Sequence, residues 1–287
     1  MNPDSPAPRA EPRHPLEERI LRDAPRLGPE DTFRFGCRPG ISCFNRCCAD
    51  VSIFLSPYDV LRMKRRLGIS SGQFLEQYTI MPVHGAMKTP IVLLRMRDDA
   101  GKACPMVTSE GCRVYSDRPW PCRMYPLGLA AQRAAPDGDH DNRFYFLLCE
   151  EGCRGFEEQP EEWTVRRWLD DQGIEEYDQW GEAFKELALH PFFEQGGKLN
   201  PQQMQMFFMA CYDLDKFRQF VFQSTLLDRF EVDEDFVEEM RYSDEALLRF
   251  AFLWLRYSLF GEGTMRVKPE VMEAFQGRLD KGQLFGR

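Results

Sequence analysis

Cys37–Cys48 reads CRPGISCFNRCC, Cys104–Cys122 reads CPMVTSEGCRVYSDRPWPC, and a third pair, Cys149-x3-Cys153, follows. Nine of the ten cysteines therefore lie between Cys37 and Cys153, and only Cys211 stands apart. Pro and Gly interrupt these stretches too often for long regular elements, so the region is expected to mix short helices, hairpins and loops. Thiolate is a soft ligand that selects zinc, copper(I) or iron–sulfur clusters over oxygen-loving cations. Short spacings let one loop present several sulfurs to one centre with little loss of chain entropy. The bland alternative is a set of disulfides, which suits small exported domains better than a chain of 287 residues.

Working outward, Ser56-Pro57 is a capping hydroxyl followed by proline at the first helical position, and the helix it opens should stop at Gly68. Ser70 or Ser71 caps a second short helix carrying Phe74, Leu75 and Tyr78. Ile91–Arg97 and Phe144–Leu148 read as strands, the first turning through residues 98–101 into 103–107 and the second ending on Cys149. Beyond Gly155 the pattern turns helical: 163–171, 175–189, 201–222, 246–260 and 269–279. In the third of these, Phe207, Ala210, Leu214, Phe217 and Val221 recur at helical spacing as one buried stripe. Cys211 adjoins that stripe and reads as a core thiol. The acidic runs Glu157–Glu162 and Glu231–Glu239 read as solvated helix starts. The expected fold is α+β and mainly helical, an irregular Cys-rich metal-binding region with short strands packed on a helical layer. The expected division is a disordered tail over 1–30, a cysteine-cluster domain over 31–160 and a helical region over 161–287.

Lys plus Arg total 37 against 46 for Asp plus Glu, a net charge of −9, which argues against a broad nucleic-acid surface. The longest apolar run, Ala246–Phe260, is interrupted by Arg249 and Arg256, so no membrane span is expected. The first residues, MNPDSPAPRAEPRHP, hold no apolar signal core, and a cytoplasmic setting is expected.

The metal-ligand candidates are Cys37, Cys43, Cys47, Cys48, Cys104, Cys112, Cys122, Cys149 and Cys153. His14, His84, His140 and His190 are scattered and none has zinc-finger spacing, so the site reads as almost purely sulfur. Adjacent Cys47 and Cys48 point to opposite faces of an extended chain and would more easily serve two centres than one. Two four-thiolate centres would use eight sulfurs and leave one spare, Cys149 or Cys153; a single four-ligand centre is the alternative. Arg38, Arg46, Arg113, Arg123 and Arg154 each adjoin a cysteine, where a cation lowers a thiol pKa and offsets a thiolate centre's charge. Pro119 and Pro121 stiffen the loop that presents Cys122, and Arg118 and Arg123 are candidate cofactor-binding residues there.

Cys112, Tyr115, Arg118, Pro119, Cys122, Arg123, Tyr125 and Pro126, with Cys37, Cys43, Cys47 and Cys48 before them, resemble the CxxCxxCC family, the YkgJ-type cysteine cluster proteins. The first-part spacings here are x5 and x3 rather than x2 and x2. The resemblance covers about residues 33 to 155, and Cys211–Phe222 is similar to the helical extension of bacterial members. It implies a domain that chelates zinc or iron. A flagellin lysine methylase carries a similar cysteine domain, but no G-x-G-x-x-G turn for a methyl donor occurs in this sequence. No catalytic residue emerges, since no His lies near the cysteine motifs and no carboxylate pair stands out. The sulfur-only ligand set favours an iron–sulfur protein with one or two clusters, 4Fe–4S first, in electron transfer or a redox or methyl-transfer process with a redox or protein partner. The alternative is a zinc-binding structural or interaction module.

Overall fold

The computed structural model describes residues 24–82, 87–131 and 143–273, of which 47% are helical and 14% strand. The fold is mainly helical α+β, as the pattern predicted. The chain divides into two compact units, one of residues 1–43 and 124–172, the other of 44–123 and 173–287. Among the described residues no helix is long and apolar enough to cross a membrane.

The smaller unit is built on two antiparallel strand pairs. Thr32–Phe35 pairs with Glu161–Thr164, and Leu127–Ala131 pairs with Arg143–Leu147. Of the segment predicted to be a tail, residues 1–23 lie outside the described residues, and Leu27 exchanges two backbone hydrogen bonds with Tyr145. Phe33, Phe35 and Trp168 are buried, and Phe35 stands edge-on to both Tyr125 and Trp168, a favoured aromatic geometry. The helix predicted from Trp163 starts two residues later, at Val165, because Trp163 and Thr164 belong to the strand and the Thr164 hydroxyl caps Arg167 N–H. The acidic run Glu157–Glu162 is accordingly not a helix start: Glu161 and Glu162 pair across to Phe35 and Arg34.

In the larger unit the capping signals were legible. Helix Pro57–Leu67 is opened by a full capping box between Ser56 and Asp59 and closed by Gly68 in the left-handed region, φ 66°. Helix Ser71–Tyr78 is opened by a second box between Ser70 and Gln73. Tyr58, Leu61 and Met63 face a core shared with helices Ile174–Ala188, Pro201–Tyr212, Leu214–Gln223 and Asp244–Phe260. The predicted stripe Phe207, Ala210, Leu214, Phe217 and Val221 is wholly buried, and Cys211 with it. The helix predicted unbroken over 201–222 is two helices. It breaks at Asp213, whose carboxylate accepts from Ser71 Oγ at 2.7 Å while Asp215 accepts from Ser71 N–H at 2.6 Å. The chain bends there so that both carboxylates meet the start of helix Ser71–Tyr78, and the stripe survives because the break keeps its phase. Ile91–Arg97 pairs as a strand only at Leu93–Leu94, against Thr79–Ile80. Its flanks bond elsewhere: Leu55 N–H to Val92, Arg97 N–H to Ala103. Residues 269–273 are helical, and 274–279 lie outside the described residues.

Several carboxylates of this unit are held below their ordinary values. The Arg65 hydrogen bond depresses Glu245, while for Asp215 and Asp117 burial works upward and is overcome, by Ser71 N–H and Lys64 in the one and by Ser116 and Arg62 in the other. A depressed carboxylate contributes stability that is present above its unfolded value and lost as pH falls through the folded one. Thermal stability should therefore hold from neutrality toward 4.5, the ordinary glutamate value, and decline below it. Glu245→Gln should shallow that decline, and an acid limb of unchanged steepness in the variant would refute the assignment.

Candidate metal centre

Five cysteines of the predicted ligand set fall in the larger unit and four in the smaller one.

In the larger unit, Asn45 in the left-handed region, φ 67°, turns the chain so that Cys48 N–H bonds its carbonyl at 3.1 Å. Cys48 C=O then accepts from Cys104 N–H at 2.7 Å, and Ala49 bridges Ala103, lashing the two cysteine segments side by side. Cys112 lies in the hairpin Val107–Thr108/Gly111–Cys112, directly across from Val107. Gly111 is needed at its turn, with φ 120° and the Phe44 ring 3.3 Å from where a Cβ would sit. Cys122 sits in the short helix Trp120–Met124. Met106 and Val114, both buried in the helical core, anchor the loops, and Cys104, Cys112 and Trp120 pack on that core. Burying one such side chain stabilises by about 1.5–3 kcal/mol, so the sulfurs rest on a firm base.

The sulfurs act on one another. The Cys48 thiol is pushed well up, first by its hydrogen bond with Cys47, then by burial, then by the charges of Cys47, Cys104 and Cys122. Burial, then Cys104 and Cys112, push Cys122 up to about 12, with Arg118 pulling the other way. Burial also raises Cys104 and Cys112, and Cys112 adds to the rise at Cys104. Cys104 and Cys122 act on Cys48, Cys112 on Cys104, and Cys104 and Cys112 on Cys122, so the four form one electrostatic group. Two of the thiols accept backbone N–H groups two residues on, Cys104 from Met106 at 3.4 Å and Cys112 from Val114. Such N–H···S bonds favour the thiolate. Cys48, Cys104, Cys112 and Cys122 are free thiols, so the disulfide alternative fails for this group.

Arg118 and Arg123 are both nearly buried. Arg118 donates to Tyr115 C=O at 2.6 Å and lies over the Tyr115 ring, and its charge lowers the pKa values of Cys112 and Cys122. Arg123 donates to Arg118 C=O at 2.9 Å and to Ser116 C=O, and lies over Tyr177. The expected electrostatic role of the arginines beside cysteines holds for Arg113, which lowers Cys112. The guanidinium groups of Arg38 and Arg154 instead bond Glu161 and Glu157. Asp59 was missed, although S-x-x-D is legible at residues 56–59. Fully buried, it accepts from Ser56 N–H at 2.7 Å and Trp120 N–H at 2.8 Å, tying the Cys122 helix to helix Pro57–Leu67. Burial raises its pKa, opposed by these donors and by Arg123.

In the smaller unit, Gly36 N–H bonds Gly155 C=O at 2.8 Å, next to Cys37 and two residues past Cys153. Cys43 Sγ accepts from Arg154 N–H at 3.1 Å. Cys149 is raised by burial and then by Cys153, which closes a turn onto Glu150 C=O at 3.0 Å. Of the histidines, His190 stacks on Phe260 and bonds Glu262 at 2.8 Å, a structural role. His14, His84 and His140 lie outside the described residues.

Residues 36–154 match the family model CxxCxxCC, described as a "putative zinc- or iron-chelating domain". That segment is similar to the CxxCxxCC domain family. The match bears out the resemblance drawn from the Cys104–Pro126 motif, and with it metal binding. No curated protein and no solved structure matches the chain. Among the described residues, no three Cys, His, Asp or Glu side chains already stand in the arrangement that would grip an ion. The donor set nonetheless suits one: free thiols grouped closely enough to feel one another's charge, with backbone N–H groups donating to two of them and the Arg118 charge lowering Cys112 and Cys122. A bound cation would reverse the repulsion that now raises these thiols.

Proposed function

We propose that this is an iron–sulfur protein of electron transfer, its cluster held in the larger unit by Cys48, Cys104, Cys112 and Cys122. The observation that carries the reading is that Cys104 and Cys122 act on Cys48, Cys112 acts on Cys104, and both Cys104 and Cys112 act on Cys122, beside the backbone lashing of Cys48 to Cys104, which groups the four without any histidine or carboxylate ligand. An all-sulfur donor set selects thiophilic metal, and a bound 4Fe–4S cluster supplies a one-electron couple. The chain's own part is to fix the sulfurs and to set the field around them. Met106 and Val114 N–H groups hold two thiolates in place. With a cluster bound there, the Arg118 cation, held by the Tyr115 carbonyl, would favour the more negative reduced state and so raise the potential. Cys47, hydrogen-bonded to Cys48, flanks the centre. A redox protein partner in the cytoplasm would give and take the electron.

Purification without oxygen tests this. The protein should be brown, with iron and acid-labile sulfide in equal amounts and an absorbance that bleaches on reduction. Colourless protein with stoichiometric zinc would replace the redox reading by that of a structural zinc module, whose four-thiolate sites are closed to chemistry.

A further inference from the structure

The smaller unit has sulfur of its own. Its two separate stretches of chain bring in Cys37 and Cys43 from one side and Cys149 and Cys153 from the other. Three observations bring the stretches that carry them side by side, although the side chains are not yet in a gripping arrangement. The Gly36–Gly155 hydrogen bond lies one residue from Cys37 and two from Cys153. The N–H of Arg154, the residue after Cys153, points at Cys43 Sγ. Cys149 and Cys153 flank one turn, with Gly152 in the left-handed region at φ 92°. The contact is tight by construction: a Cβ on Gly155 would meet Gly36 O at 2.7 Å and the Phe35 ring at 2.5 Å, so only glycine lets the two stretches approach this closely. Ser42, beside Cys43, adds a clamp by donating from both N–H and Oγ to Glu158.

We propose that the smaller unit binds a second, separate thiophilic metal centre through Cys37, Cys43, Cys149 and Cys153. The inference rests on the reading of the chain as a thiolate metal protein, and it holds for zinc as well as for an iron–sulfur cluster. The donor chemistry is four sulfurs with no histidine or carboxylate needed, and the Arg154 N–H already donates to Cys43 Sγ, which fixes that sulfur's position. Cys149 and Cys153 are then both ligands, and the ninth clustered cysteine is Cys47 in the other unit. One centre per unit also accounts for cysteines outside the segment that gives the family its name.

The test compares metal content per chain, with spectra, for the wild type, Cys149→Ser/Cys153→Ser and Cys122→Ser, all purified without oxygen. The double variant should lose about half the metal and keep the spectrum of the remaining centre, while Cys122→Ser loses the complementary half. Full metal in the double variant, or loss of all metal in both variants alike, would overturn the second centre. A wild type devoid of thiophilic metal would overturn the parent reading with it; zinc that halves in the double variant would defeat the iron–sulfur reading alone. Should the double variant fail to fold, alkylation of the loaded wild type decides. Cys37 and Cys149 are exposed side chains, so their resistance to iodoacetamide until a chelator is added supports ligation, and their prompt labelling in the loaded protein refutes it.

Discussion

Cys122→Ser is expected to remove the metal of the larger unit and to lower its thermal midpoint by about 10 °C, the effect of losing roughly 3–4 kcal/mol in a domain of this size. The sulfur sits in the short helix Trp120–Met124, and its thiol is raised by burial and by Cys104 and Cys112, so it stands inside the sulfur group rather than at its rim. Serine keeps the volume but replaces a soft donor by a hard, protonated one, and the remaining three thiols cannot close a four-ligand centre. Because metal binding and folding share one free energy, the loops Phe44–Cys48 and Cys104–Cys112 should loosen with it. Metal content and melting measured side by side check this. A serine variant with unchanged metal and an unchanged midpoint would exclude Cys122 as a ligand.

Asp59→Ala should cost about 3–4 kcal/mol, comparable to other losses of a buried charged partner. The carboxylate accepts from Ser56 N–H and Trp120 N–H and faces the Arg123 cation. Alanine strands both donors, each worth about 1–3 kcal/mol when left unsatisfied in the interior. It also uncouples the Cys122 helix from helix Pro57–Leu67. Urea unfolding of the metal-free protein isolates this term from the ligand loss, and Asp59→Asn, which keeps one accepting oxygen, should fall between alanine and wild type. An alanine variant within about 0.5 kcal/mol of wild type, inside the spread of ordinary surface substitutions, would show that the bridge contributes little.

What the sequence announced was what depends on near neighbours. The boxes at Ser56 and Ser70, the stop at Gly68 and the stripe from Phe207 to Val221 are written in spacings of three and four residues, and all appear in the structure. The family motif from Cys104 to Pro126 was equally local, and the family match confirms it. Strand Leu127–Ala131 was hidden because LGLAA has no β-branched residue, and its partner Arg143–Leu147 supplies the pairing and the Phe146 ring that covers Gly128. The break at Asp213 was hidden because the apolar period runs through it unchanged; the cause, Ser71, is 142 residues away. The division of the cysteines was hidden for the same reason. Cys43 and Cys47 are four residues apart yet belong to different units, and contacts such as Gly36 with Gly155 and Cys43 with Arg154 reveal it. Arg38 and Arg154 show the limit of adjacency: each follows a cysteine, and each turns its charge to a glutamate.

X-ray absorption at the iron and zinc edges of protein purified without oxygen measures the ligand atoms themselves. The expected result is a first shell of sulfur alone, near the ~2.3 Å typical of metal–thiolate bonds, lost in proportion as Cys122 is replaced. A shell of oxygen or nitrogen, or no bound metal at either edge, would contradict it.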